Sequence, residues 1–479
     1  MRSSSDNTKT VKIKSEKSNW RDALDLSVEE QRDKQDKVRQ HQISSPSPVE
    51  IRTIRGRTVH VKHDDQLRLA GSGISGNKAR KMWTLNEIPA EEFPSCLVSY
   101  GGPQSNSMLA LAAIANSKNR ELVLQSKSAI ELSSDKDNED STSKNETGLP
   151  IRFVYYTKKL PRFLRKQPNG NLFRALSLGM ELREVSHGEY KSLFEHRSDE
   201  FEGEGRPPLG LEAPGPDSLW VPQGGAFAPA QVGSHRLAQE IYTYWLENGN
   251  DRPLTVCVPG GTCTTAVLLH LGLKQLLQLR IDGGDDDGLR EDDYDGFSNA
   301  AIWPKKTAMD IEVVVVPCVG DAAYAGRQMR SLSARIGASP NDIPTILQPE
   351  PDEAMSERHG ASGTNSLRQK YFRFGKPDRD ILETFQELQD DFNLVVDLIY
   401  GAPSFAIMWR HWGRKGQNSL SPDLSFDPNQ PLVGREIMYV HSGGLEGINS
   451  QLLRYRYDGL VEIKDVQLPG RKNRSKHKK

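Results

Sequence analysis

One lysine stands where its amine could do covalent chemistry. Lys78 follows the glycine-rich turn Gly71-Ser72-Gly73-Ile74-Ser75-Gly76 and opens a stretch with helical character, Lys78 to Asn86. An amine that is to form an imine must be neutral part of the time, and a shielded, partly cationic pocket favours that state. Asn77 and Arg80 beside Lys78 suit such a pocket. Further on, Tyr100-Gly101-Gly102-Pro103-Gln104-Ser105-Asn106 makes a second polar turn that opens another helix. Together the two turns suggest an aldehyde cofactor held as a Schiff base. Taken singly, Lys78 reads as a solvated lysine, and Ser105 and Asn106 read as helix caps.

A phosphate-bearing ligand would need a cradle. Gly260-Gly261-Thr262-Cys263-Thr264-Thr265 follows the apolar strand Leu254–Val258 and opens the helix Ala266–Leu277. Glycines let the backbone approach a ligand closely, the helix N-terminus offers free N–H groups, and threonine hydroxyls add donors. The plainer reading is a strand-to-helix turn with a threonine cap, and this feature alone favours it. The Gly71 turn also fits G-x-G-x-x-G, with Glu91 downstream, but Gln66-Leu67-Arg68-Leu69-Ala70 is too polar for the buried strand a dinucleotide site requires. It nearly fits a P-loop, yet Asn77 occupies the lysine position and Lys78 the Ser/Thr position. Tyr400 ends an apolar run, Leu394–Leu398, before Gly401-Ala402-Pro403-Ser404, and His441-Ser442-Gly443-Gly444 is one more glycine turn.

The elements that must position these residues alternate strand, turn and helix. Strands are expected at Val49–His63 (two, around Gly56), Ser95–Tyr100, Glu121–Leu124, Ile151–Tyr156, Met180–Val185, Leu219–Pro222, Leu254–Val258, Ile311–Pro317, Leu394–Leu398 and Glu436–Val440. Helices are expected at Lys78–Asn86, Ser105–Ala115, Gly170–Leu178, Ser234–Trp245, Ala266–Leu277 and Arg379–Phe392. This is the pattern of an α/β protein with mostly parallel sheets, whose ligand sites gather at the C-terminal ends of strands. Residues 1–48 read as disordered with a short helix near Trp20–Lys37, and Ser126–Gly148, Ser198–Asp217, Ile281–Phe297 and Gly416–Gln430 as polar insertions. The tail Gly470–Lys479 is strongly basic.

The bulk composition excludes several classes. A net charge of -1 over 479 residues gives no global field for nucleic acid or a membrane surface. A mean hydropathy of -0.62 and the lack of a long apolar run argue against a membrane span, and the N-terminus lacks the apolar core of a secretory signal. Cys96, Cys257, Cys263 and Cys318 have no C-x-x-C spacing and read as reduced thiols, with no metal site. The expected compartment is the cytoplasm, with organelles left open.

In combination the motifs resemble pyridoxal-phosphate enzymes of fold type II, the tryptophan-synthase-β-like group, in the D-cysteine desulfhydrase / 1-aminocyclopropane-1-carboxylate deaminase branch. The segments that carry the likeness are Val61–Asp65, Gly76-Asn77-Lys78-Ala79-Arg80-Lys81, Val98–Asn106, Pro222–Gly225, Gly260–Thr265, Asp397–Tyr400 and His441–Gly444, in the family's order. The resemblance implies a two-lobed fold of three-layer α/β/α type with the site in the cleft. The larger, cofactor-binding lobe would comprise 49–78 and 218–465, the smaller 79–217 with insertions at 126–148 and 198–217, and 466–479 would be a disordered tail. It implies that Lys78 binds the aldehyde of pyridoxal 5'-phosphate and moves the α-proton, with Asn77 beside it. Asn106 would face the 3'-oxygen of the ring, and Ser105 would meet the substrate carboxylate and assist proton transfer. Gly260, Gly261, Thr262, Cys263, Thr264 and Thr265 would hold the phosphate, with Tyr400 and a second tyrosine, Tyr371, near the substrate. The chain departs from the pattern at Gly401, where the deaminases carry Glu and the desulfhydrases Thr. That leaves Ser442 as the hydrogen-bond partner of the ring nitrogen. The implied activity is α,β-elimination from a small amino acid, D-cysteine first, giving pyruvate, ammonia and sulfide. Deamination of 1-aminocyclopropane-1-carboxylate and cofactor binding without turnover are the alternatives. A homodimer is implied, and no nucleic-acid or membrane partner.

Overall fold

The computed structural model describes residues 46–133, 150–195, 211, 214–215, 217–282, 309–349, 371–412 and 426–462. The expected N-terminal helix, the basic tail and most of each insertion lie outside these residues. Two sheets organise the described residues. The larger has six strands: β1 Val49–Ile54, β2 Arg57–Lys62, β7 Leu254–Gly260, β8 Ile311–Pro317, β9 Thr345–Ile346 and β10 Glu436–Val440, in the order β1-β2-β10-β7-β8-β9. The smaller has four: β3 Cys96–Tyr100, β4 Arg152–Lys158, β5 Glu181–Val185 and β6 Ser218–Val221, in the order β5-β4-β3-β6. Every pairing is parallel except the β1–β2 hairpin. Parallel strands buried on both faces read as unbroken apolar runs, and β8, IEVVVVP, is one.

Side chains alternate between two cores. In β8, Val313 and Val315 join one apolar cluster while Val314 and Val316 join another. The first cluster lies under helices α7 (Ala230–Asn248), α8 (Thr264–Asp282) and α9 (Ala322–Arg335), and the second under α10 (Arg379–Asp390), α11 (Gly401–Arg410) and α12 (Ile448–Tyr457). The smaller sheet is covered on one face by α3 (Asn106–Ser133) and α5 (Gly170–Ser177), and on the other by Tyr190 and Phe194. Each lobe is therefore a three-layer α/β/α sandwich. The expected start of the larger lobe at residue 218 moves past β6, because Ser218–Val221 pairs with β3 in the smaller sheet.

Three element expectations are corrected. Glu121–Leu124 is not a strand but the middle of the 28-residue α3, which also takes in the first part of the expected insertion at 126–148. Lys78–Asn86 is not one helix: α1 (Asn77–Lys81) and α2 (Trp83–Glu87) meet at Met82, whose φ of -98° and ψ of 9° break the helix. Leu394–Leu398 is not a strand: it pairs with neither sheet, and Leu398 lies in a turn. Its backbone is satisfied by side chains instead: the His441 Nε2 hydrogen-bonds the Val395 carbonyl at 2.7 Å, and the Leu398 N–H donates to Gln451 Oε1 at 2.8 Å.

Candidate active site

Each motif of interest leaves the C-terminal end of a parallel strand: 101–106 follows β3, 222–225 follows β6, 260–265 follows β7 and 441–444 follows β10. The turn before α1 joins them. Asn77 donates its N–H to the Ser442 carbonyl at 3.0 Å, and its side-chain oxygen accepts from the Thr265 hydroxyl at 2.7 Å. Gly224 lies against Thr262, since a Cβ there would be 2.8 Å from that side chain. By the same measure Gly101 lies 3.5 Å from Gln223, and Gly444 lies 3.1 Å from the Asn106 amide nitrogen. Lys78, Asn77, Asn106, Ser442 and the 260–265 turn thus form one contiguous ring of backbone turns.

Glycine is required at the closest approach. Gly76 has φ +67° and ψ -154°, and a Cβ there would lie 2.5 Å from the Ser442 carbonyl oxygen. That backbone region is essentially glycine's alone, costing other residues about 1–3 kcal/mol. Gly76→Ala should therefore lose at least that much stability and push α1 away from Ser442. A denaturant titration checks this, and an unchanged midpoint contradicts it.

Two lysines meet at one acceptor. Lys78 Nζ and Lys81 Nζ each donate to the Gly224 carbonyl at 3.3 Å. They are three residues apart on a helix and so share a face. Burial pushes the Lys78 amine down to about 8, and it holds Lys81 well below the usual lysine range, with the charge of Lys78 lowering Lys81 further. Among the described residues no carboxylate pairs with either amine. From sequence, Lys81 stands only as part of the Gly76–Lys81 segment, with no role of its own, although its spacing from Lys78 was the available signal.

Beyond Gly224 lies the turn that opens α8. Cys263 within it has φ +55°, the left-handed backbone from which anion-binding nests are built. Thr262 and Thr264 exchange a hydroxyl hydrogen bond at 2.8 Å. The Tyr400 ring stands over this turn, with its hydroxyl oxygen 3.2 Å from where a Gly261 Cβ would be. Burial holds the Tyr400 phenol well above its ordinary pKa, so it stays protonated at neutral pH. Asp397 fixes Tyr400 from behind, accepting the N–H groups of Ile399 and Tyr400 at 2.8 Å each. The aromatic ring packed on Tyr400 is Phe374, with centroids 5.7 Å apart. The Tyr371 hydroxyl instead donates to the Leu347 carbonyl at 2.7 Å, and its ring packs against the core under α10 and α11. Gly401 sits on Val396, whose Cβ would be 2.5 Å from a Cβ at 401.

On the other side of the ring, Ser105 Oγ caps α3, accepting from the N–H groups of Ser107 and Met108 at 3.2 and 3.3 Å. Asn106 Oδ1 accepts from Asn171 Nδ2 at 2.6 Å, which aims its amide nitrogen at Gly444. Among the described residues the Ser442 hydroxyl has no hydrogen-bond partner.

A buried charge cluster anchors α1 from beneath. The Arg80 guanidinium forks onto Asp64 at 2.7 and 2.8 Å and onto Glu240 at 2.7 and 2.9 Å. Lys62 Nζ donates to Glu240 at 2.6 Å and also to the Ser47 carbonyl. The two cations balance the two carboxylates, and all four side chains are almost fully buried.

No protein-family model and no curated protein sequence matches the chain. Solved structures do resemble it. An ACC deaminase homologue is 16% identical over 86% of this chain and 95% of its own, with a TM-score of 0.48. Diaminopropionate ammonia lyase from Escherichia coli is 9% identical over 88% of each chain, with a TM-score of 0.45. A fungal L-serine ammonia-lyase from Rhizomucor miehei is 13% identical over 86% of this chain and 98% of its own, with a TM-score of 0.40.

Proposed function

We propose that the protein is a pyridoxal 5'-phosphate-dependent lyase that removes a β-substituent from a small neutral amino acid, with D-cysteine as preferred substrate. The observation that carries this reading is the pair of enclosed amines, Lys78 and Lys81, converging on one carbonyl beside the nest at 260–265. Two interior ammonium groups without a carboxylate are stable only if one is neutral or a ligand brings negative charge. A phosphorylated aldehyde meets both demands. Its aldehyde needs a neutral amine at Lys78. Its phosphate needs Lys81, the N–H groups at the start of α8 and the hydroxyls of Thr262 and Thr264, while the Thr265 hydroxyl, given to Asn77, joins this turn to α1. Asn106 would meet the ring oxygen and Ser442 the ring nitrogen.

When bound, the pyridoxal ring supplies the sink for negative charge developing at the substrate α-carbon. The Lys78 amine would take the α-proton. Ser105 and the first N–H groups of α3 would hold the substrate carboxylate. The protonated Tyr400 phenol would give a proton to the departing β-substituent. Phe374 and Tyr400 present an aromatic, uncharged wall, which suits a neutral side chain. With sulfide leaving, the released 2-aminoacrylate takes up one water and gives pyruvate and ammonia. Gly401 has no space for a side chain, so no carboxylate there can hold the ring nitrogen protonated, and this favours elimination over opening of a cyclopropane ring. Sulfide and pyruvate from D-cysteine would support the reading. α-Ketobutyrate from 1-aminocyclopropane-1-carboxylate would support the rival, and binding of the cofactor with no product from a panel of D- and L-amino acids would mark a binding protein.

Two results follow from the lysine pair. Lys81→Gln should weaken retention of pyridoxal phosphate by about 10- to 100-fold, the worth of one charged hydrogen bond, while the visible band still forms at high cofactor concentration. Equilibrium dialysis reads this, and unchanged affinity removes Lys81 from the phosphate site. Because Lys78 sits at about 8, its neutral fraction should rise roughly tenfold per pH unit below that value and level off above it. The rate at which the cofactor-free protein captures pyridoxal phosphate should follow the same curve. A rate that is flat between pH 6 and 8 would contradict it.

A further inference from the structure

Tyr155, in the middle of β4, is fully buried on the face that also carries Phe153. A buried phenol needs a partner for its hydroxyl. Tyr155 finds one in the active-site turn, donating to the Gly102 carbonyl at 3.1 Å. The same carbonyl accepts the Ser105 N–H at 3.1 Å. A Cβ at Gly101 would lie 2.5 Å from the phenolic oxygen, so the phenol is packed directly under the turn and glycine alone admits it. Burial raises the phenol's pKa well above its ordinary value, and the neighbouring Ser105 side chain offsets part of that rise.

The donors and acceptors fall into one order. Ser105 Oγ already accepts two N–H groups of α3, which leaves only its proton to be placed. Tyr155 gives its own proton to Gly102 and has a lone pair free for that of Ser105. The donor order these bonds leave open runs from the Ser105 hydroxyl to the Tyr155 hydroxyl and on to the Gly102 carbonyl, the last link being the 3.1 Å bond.

We propose that Tyr155 is a positioning residue for Ser105: its phenol locks the Gly101–Ser105 turn and directs the Ser105 hydroxyl proton. This rests on the reading of Ser105 under the proposed function and adds a residue to it that does not meet the substrate. A substrate group that draws on the Ser105 proton must compete with the phenol, so removing the phenol changes how Ser105 transfers a proton. It does not change whether the cofactor is bound.

The test uses the full-length protein and the variants Tyr155→Phe, Ser105→Ala and the double variant. With cofactor loaded and D-cysteine as substrate, Tyr155→Phe should lower kcat about tenfold, shift KM less, and leave the visible spectrum unchanged. In the Ser105→Ala background the same change should cost less than about twofold, because residues acting as a unit are not additive. Losses that multiply, or a Tyr155→Phe enzyme equal to the parent, would overturn the proposal. Amide hydrogen exchange on the cofactor-free protein decides independently of turnover. Exchange in residues 101–108 should be about tenfold faster in Tyr155→Phe, with β3 and the rest of β4 unaffected, and unchanged exchange there also overturns it. A parent protein that neither binds pyridoxal phosphate nor turns over D-cysteine sinks the functional reading, and the exchange comparison still decides for Tyr155.

Discussion

Lys78→Ala should yield a folded protein without the visible absorption of a lysine-bound pyridoxal, and with elimination activity lowered by at least about a thousandfold. The size of the loss follows from the two roles on one amine. The group that fixes the cofactor is also the base for the α-proton, and a positioned base alone contributes about 10²–10⁴-fold. Stability should change little. Lys78 is the less enclosed of the two lysines, its amine has only the Gly224 carbonyl as partner among the described residues, and its removal relieves the repulsion on Lys81. Spectra of the purified variant with added cofactor check this. Retention of the band would move the covalent site to another lysine.

The largest effect on stability is expected at Arg80. Arg80→Ala leaves Asp64 and Glu240 in the interior with Lys62 as their one remaining cation among the described residues, and breaking a buried ion network in this way costs about 3–5 kcal/mol. The charges also tie Ser47 and β2 to α1 and α7. Loss of the fork should therefore loosen the helix that carries Lys78, and cofactor affinity should fall together with the unfolding midpoint. Arg80→Lys should recover little, since an ammonium cannot span both carboxylates as the planar fork does. Chemical denaturation followed by tryptophan fluorescence measures the loss, and a cost below about 1 kcal/mol would mean that the network carries no weight.

How far the sequence foretold this arrangement depends on what kind of pattern each part leaves. Strands Ile311–Pro317 and Glu436–Val440 match their expected limits, because strands buried on both faces are continuous apolar runs. Glu121–Leu124 misled for the same reason in reverse. A short apolar run inside an alanine-rich helix has no period that separates it from a strand. Helices Ala322–Arg335, Gly401–Arg410 and Ile448–Tyr457 were not anticipated. Pro403 stands in the first turn of Gly401–Arg410, where proline is tolerated.

In the site, the turns were legible as glycine clusters after apolar strands, and the structure brings Lys78, Asn77, Asn106, Ser442 and the 260–265 turn together. What sequence could not supply is the set of long-range neighbours. Phe374 meets Tyr400 from a segment with no motif. Lys81 looks like any helical lysine until its amine is seen beside that of Lys78. Tyr155 is one tyrosine of an ordinary strand until its hydroxyl reaches Gly102.

The central claim is that one amine, at Lys78, carries the cofactor. Borohydride reduction of the protein loaded with pyridoxal phosphate, followed by digestion and peptide mass analysis, tests it most directly. The expected result is a phosphopyridoxyl mass on the peptide containing Lys78 and on no other. The same mass on a different lysine, or on none, would contradict it.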